Sequence, residues 1–489
     1  MAKPQRRRFL RVIVALSILP PAVRAQEGAH INVVSVAAGE FSLAVNPDLH
    51  ARFGVRYPLT YQFDVPATTS GLTVERQDNA ASAWTPINGK TRDEHFNGIE
   101  AFRFDTAAHR LVVSASFPEG GDSLYLRIRG AGGAPLASMY RGMPKYYDAR
   151  SAAVTVTGDD WADWFASMYP PLLSLFRSYG LYVTAGAITG GIGHSTYLTI
   201  QSELDSGFVE IAAHSRTHPF TPYADTRSEV WGCVNDLLSN LSFPPLSRRG
   251  DAGYVYVWIA PNGAYDGAVD SMMSVSNLLV GRLYDMGDTT FSSWEPSQQH
   301  FSPVNPTLEI GAPSWGGGET RLPVLNATFD SVTAHGGIYH VMWHPQTLAP
   351  DVGAAYLTGH LQHISGRNDL WYVNFGHLYL YRLFQAANAE GVTAVPVAST
   401  QPAVYGLLQN YPNPFNPRTT IRFRLPAAGT VRLTVHDLLG REVGVLADGR
   451  IDAGVHEIPF DASRLSSGTY FCRLSTDVRT QVIKMLLMR

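Results

Sequence analysis

Two short stretches carry the residue types for hydrolytic chemistry: Thr157-Gly158-Asp159-Asp160 and His214-Ser215-Arg216-Thr217-His218. Each follows an apolar run with the character of a buried strand. A catalytic zinc site takes three protein ligands and keeps one position open for water. His214 and His218 stand four residues apart, so both rings share one face if the chain turns helical after its strand. Asp160 is the natural third ligand. Asp159 then stays off the ion, beside the attacking water, where a general base must stand. An Asp-Asp pair at a strand end is also a common helix cap, and His-x-x-x-His recurs by chance. Both fragments fall at strand ends of one region, which favours a site over either chance pattern. The set calls for a divalent metal, with zinc as the expected ion, and for metal-assisted hydrolysis.

The region that must position these residues is 149–390, where strand-like apolar runs alternate with helical stretches, an α/β pattern. Ala152–Val156, Leu181–Ala185, Phe208–Ala213, Tyr254–Trp258 and Ile338–Trp343 read as strands. Pro170–Tyr179 and a stretch from about Arg227 to Leu241 read as helices. Residues 285–330 are rich in Gly, Pro and aromatics and read as long loops on an active face. Trp294 and Trp315 lie there, where flat rings can stack on sugars or pack within the loops. Strand alternation places His340, Met342 and His344 on one face, and His344 at the strand end is the candidate general acid.

The region resembles the polysaccharide deacetylase family, also called the NodB-homology or carbohydrate esterase family 4 domain. Its Thr-Phe-Asp-Asp-Gly motif corresponds to Thr157-Gly158-Asp159-Asp160-Trp161, and its His-Ser/Thr-x-x-His motif is matched in full by His214–His218. The resemblance implies Asp159 as catalytic base and Asp160, His214 and His218 as metal ligands. The Arg-x-Pro-Tyr/Phe-Gly motif is half present as Ile259-Ala260-Pro261-Asn262-Gly263. It implies that the Asn262 backbone N–H helps hold the oxyanion, and it leaves Asp159 without the arginine that normally orients it. No stretch matches the Asp-x-x-Asp-Trp motif. Leu-x-His resembles Met342-Trp343-His344, which implies His344 as general acid. Trp371–His377 resembles the late strand and following helix, with Trp371 packed in the wall. The fold implied is a distorted (β/α) barrel with its chemistry at the C-terminal strand ends.

Flanking regions carry other signals. Residues 1–25 have a basic Arg6-Arg7-Arg8 start, an apolar Val12–Leu19 core and a small-residue site at Val23-Arg24-Ala25, the pattern of a signal peptide. Arg6–Arg11 also resembles a twin-arginine signal. No stretch is long and apolar enough to span a bilayer, so the chain reads as not transmembrane. Residues 26–148 alternate like a β-sandwich and show no chemistry of their own. Residues 391–404 read as a linker. From 405 to 489 short alternating runs make a small Ig-like β-sandwich. This tail, with Tyr411-Pro412-Asn413-Pro414-Phe415-Asn416-Pro417, resembles the type A C-terminal sorting domain of the type IX secretion system. The resemblance implies passage across both membranes and the secretion machinery as a partner, with release or anchoring at the surface.

Composition narrows the classes further. A length of 489 residues fits about three domains, and a net charge of −3 does not point to nucleic acid. Cys233 and Cys472 are too few for a disulfide framework or a Cys-type zinc site. The resulting expectation is a secreted metal-dependent deacetylase acting on an acetylated glycan. The alternatives are a metal-dependent amidohydrolase on a non-sugar C–N bond, or a surface glycan-binding protein whose active site has decayed.

Overall fold

The computed structural model describes residues 31–488 apart from 38–39, 68–70, 80–81, 94–97, 120, 131–138, 264, 284–299, 302–307, 312–321, 389–405, 408–409, 411–412, 426–427, 453 and 477–479. The expected signal peptide (1–25) and linker (391–404) lie outside the described residues, as do Trp294 and Trp315. No helix among the described residues is long and apolar enough to cross a membrane.

A nine-stranded parallel sheet occupies the middle of the chain and curls into the distorted (β/α) barrel. Its strands run, in sheet order, His300–Phe301, Val280–Arg282, Val257–Ile259, Val209–Ala213, Val183–Ala187, Ala152–Trp161, Ile338–Trp343 and Leu308–Glu309. Leu370–Tyr372 also pairs with the first residues of Ala152–Trp161. These strands read as continuous apolar runs because a parallel sheet under helices is buried on both faces. Ala152–Trp161 is longer than its sequence suggests, because Gly158, Asp159 and Asp160 continue it after the apolar run ends.

Helices cover the outer face for sequence reasons. Tyr169–Ser178 starts with Pro170 and Pro171 and buries Tyr169, Leu172, Leu173 and Phe176, one stripe at helical spacing. Gly267–Val275 is capped by Asp266, whose carboxylate accepts from the Ala268 and Val269 N–H groups. The sequence reading of 285–330 as loops falls largely outside the described residues, and its end is corrected: Leu322–Ala334 is a helix. Leu325, Phe329 and Thr333 recur every four residues and give it a buried face.

Upstream, two antiparallel sheets form a β-sandwich around Leu43, Tyr61, Phe63, Val113 and Leu126. It packs on the barrel through the helix Phe375–Asn388 and Trp371, whose indole N–H donates to the Tyr57 hydroxyl at 3.1 Å. The tail folds as a three-stranded and a four-stranded antiparallel sheet around Ile421, Phe423, Leu433 and Cys472. Both cysteines are free and buried.

Candidate active site

The residues singled out in the sequence converge at the C-terminal ends of the barrel strands. Asp159 and Asp160 end the Ala152–Trp161 strand, His214 follows Val209–Ala213, and His344 follows Ile338–Trp343. Eight non-glycine residues with positive φ occur among the described residues, and four are here: Asp160, Ser215, His218 and Asn262. Such backbone is disfavoured for side chains with a Cβ and persists where surrounding contacts over-determine it.

The first fragment differs at two positions from the Thr-Phe-Asp-Asp-Gly motif it resembles, and packing accounts for both. A Cβ on Gly158 would lie 2.4 Å from the Trp343 ring, so that indole fills the space a larger side chain would take. Trp161 instead points into the helix layer, stacked on Tyr169 with ring centroids 4.2 Å apart. The Tyr169 hydroxyl in turn donates to the Asp159 backbone carbonyl.

The His214–His218 stretch is not helical, which corrects the expectation from its spacing. Ser215 and His218 both adopt positive φ, and the chain makes an irregular turn. Tertiary contacts impose it. Glu229 accepts from the Arg216 and Thr217 N–H groups, each at 2.9 Å. The Ser215 hydroxyl accepts from the His218 N–H at 2.8 Å. Arg216 makes a two-pronged ion pair with Asp236 at 2.7 and 2.8 Å. The rings still meet, with centroids 4.9 Å apart.

The ligand-type atoms of Asp160, His214 and His218 all lie within 4.8 Å of one another. His214 places Nδ1 2.8 Å from the Ile259 carbonyl. A carbonyl can only accept, so Nδ1 carries a proton, and Nε2 is the ring atom turned to Asp160. That Nε2 is 3.2 Å and His218 Nε2 3.4 Å from the same Asp160 oxygen. Burial, then the neighbouring His214, lowers the pKa of His218 and favours its neutral ring. Burial opposes ionisation of Asp160, but the His214 hydrogen bond and the nearby imidazoles outweigh it and hold the carboxyl well below the usual range. One carboxylate and two imidazole nitrogens facing a common point fit a divalent metal.

Asp159 lies outside that trio and is 4 % exposed. One carboxylate oxygen pairs with the Arg282 guanidinium, and the other is 3.8 Å from His344 Nε2. His344 donates from Nδ1 to Glu309 at 2.8 Å. Burial disfavours its cation, but the Glu309 hydrogen bond and the Asp159 charge prevail and lift its pKa to about 9. His340 and Met342 share the inner face with His344, but His340 Nε2 meets the Thr157 hydroxyl at 3.1 Å, within the core. Asn262 is the exposed residue of the Pro261–Gly263 turn, at φ +55°, its side chain 3.5 Å from the Pro219 carbonyl. Trp371 is a wall residue, 2 % exposed.

Sequence reasoning missed Arg282 and Glu309. The only signal was a lone charge in each of two short apolar runs, Leu278-Leu279-Val280-Gly281-Arg282 and Leu308-Glu309-Ile310. A buried charge needs a partner, but nothing along the chain says which.

Residues 409–488 match the secretion system C-terminal sorting domain. This tail directs the chain through the type IX secretion machinery to the outside of the cell or its surface. No curated protein matches the sequence. Solved structures similar to the chain include a protein assigned as a polysaccharide deacetylase from Mycobacterium smegmatis, at 15% identity and a TM-score of 0.37, covering 53% of this chain and 97% of that one. An allantoinase is similar at 14% identity and a TM-score of 0.39, covering 51% and 95%. A carbohydrate esterase family 4 pseudoenzyme from Bacillus anthracis is similar at 14% identity and a TM-score of 0.29, covering 46% and 65%.

Proposed function

We propose that this exported protein is a metal-dependent hydrolase that removes acetyl groups from a glycan. The observation that carries the reading is the division of labour between adjacent carboxylates. Asp160 faces His214 and His218, whereas Asp159 faces Arg282 and His344. Asp160, His214 and His218 would hold the metal. A divalent cation there supplies Lewis-acid polarisation of an acyl carbonyl and eases deprotonation of water.

The remaining roles belong to the chain's own groups. Asp159, held by Arg282, takes the proton of the attacking water. The Asn262 backbone N–H donates to the developing oxyanion. His344, kept as an imidazolium by Glu309, protonates the leaving amine or alkoxide. Base and acid thus stand side by side, each held by a buried partner of opposite charge. The paired charges around Asp159 and His344 favour a working site over a decayed one.

The test is acetate release from chitin oligomers, acetylated xylan and peptidoglycan with zinc added. Release from one of them is expected. Binding of all three without release from any would refute hydrolysis, and release only from a non-sugar amide would move the reading to an amidohydrolase.

A further inference from the structure

We propose that Arg282 is the positioning residue for Asp159, and that it does from one strand the work an arginine at position 259 would do from the next. The proposal rests on the reading of Asp159 as the base.

Arg282 is fully buried and closes the strand Val280–Arg282. Its Nη2 donates to Asp159 Oδ1 and its Nη1 points at the Met342 sulfur, 3.3 Å away. The two strands carrying Arg282 and Asp159 are not sheet neighbours; three others lie between them. The pair therefore forms across the barrel interior. An arginine keeps its charge at any working pH and offers rigid, directed donors. With Oδ1 held in this way, Asp159 presents Oδ2 toward His344. Arg282 thereby selects which oxygen faces the reacting water.

The register explains the exchange of positions. Ile259 pairs with Arg282 on adjacent parallel strands, as Val257 pairs with Val280. Paired residues on neighbouring strands project to the same face, about 4.8 Å apart. Ile259 does project inward: its Cδ1 lies 3.0 Å from where a Cβ on Gly186 would be, beside His214. A guanidinium from either position can therefore enter the same interior.

Three variants test this, read by kcat, KM, zinc stoichiometry and the thermal melt of the zinc-free protein. Arg282→Met should lower kcat by about 100-fold with KM nearly unchanged, because orientation of a catalytic group is lost. Zinc should still bind one per chain, since none of its three expected ligands is touched. The exchange variant Ile259→Arg/Arg282→Ile should recover at least about tenfold of that loss. Arg282→Lys keeps a buried cation and should fall between wild type and Arg282→Met. Wild-type kcat in Arg282→Met, equal losses in Arg282→Lys and Arg282→Met, or a folded exchange variant no faster than Arg282→Met would overturn the proposal. If the wild type releases no acetate from any substrate, the hydrolase reading fails by itself. The ion pair is then judged by the melt, which Arg282→Met should lower and the exchange should restore; failure to restore it overturns the proposal.

Discussion

Replacing Glu309 by Gln isolates the group that keeps His344 charged. Gln preserves the shape and can still accept from Nδ1, so the ring keeps its place while the negative charge is removed. Lifting an imidazole from 6.5 to about 9 amounts to roughly 3 kcal/mol of preference for the charged form. Burial acts against that preference, and Glu309 and Asp159 together overcome it. Loss of the Glu309 charge should lower the midpoint by about 1 to 2 pH units, leaving Asp159 to supply the rest. The cleanest assay is an NMR titration of the His344 ring in zinc-free protein, because a bound cation would itself repel the proton. The resonance is assigned by its loss in His344→Gln. The sign follows from linkage: a raised histidine contributes stability that is full below pH 6.5 and is lost as pH rises through about 9. The zinc-free wild type should therefore melt lower at pH 9.5 than at pH 7, and the variant should lose its smaller increment at lower pH. In the zinc enzyme, the alkaline limb of kcat should also move to lower pH. A His344 midpoint still near 9 in Glu309→Gln would refute the reasoning.

Other perturbations give distinct outcomes. His214→Ala removes a buried ligand and should weaken zinc binding by more than about 100-fold, measured by calorimetry, with turnover lost in parallel. Gly158→Ala forces a methyl against Trp343 and should destabilise by about 1–3 kcal/mol, seen as a lower melting temperature. Asn262→Gly keeps the positive φ and the backbone N–H, so stability and kcat should hold. Asn262→Val should instead cost about 1–2 kcal/mol in denaturant unfolding, because a β-branched residue resists that backbone.

The barrel strands were legible because burial on both faces writes them as unbroken apolar runs, as in Ile338–Trp343. The ligand types were legible because Asp159-Asp160 and His214–His218 are compact in sequence. The shape of the histidine turn was not. Its positive φ values at Ser215 and His218 are fixed by Glu229, which lies beyond the turn on the helical stretch packed against it. Arg282 was also hidden, since it meets Asp159 across 123 residues only once the barrel closes. Glu309 sits in a two-residue strand whose pairing with Ile338–Trp343 places it beside His344. Local pattern thus picked out residues that the fold brings together, whereas the charges beside them depend on strand order, which single-sequence periodicity does not encode.

Under the proposed function, Asp160, His214 and His218 hold one metal ion on which hydrolysis depends. Stepwise zinc addition to chelator-treated protein, with acetate release followed on the responsive glycan, tests it most directly. Expected are no release without metal, recovery that saturates at one zinc per chain, and no recovery in His214→Ala. Release that persists in the chelated protein, or that is equal in His214→Ala, would contradict it.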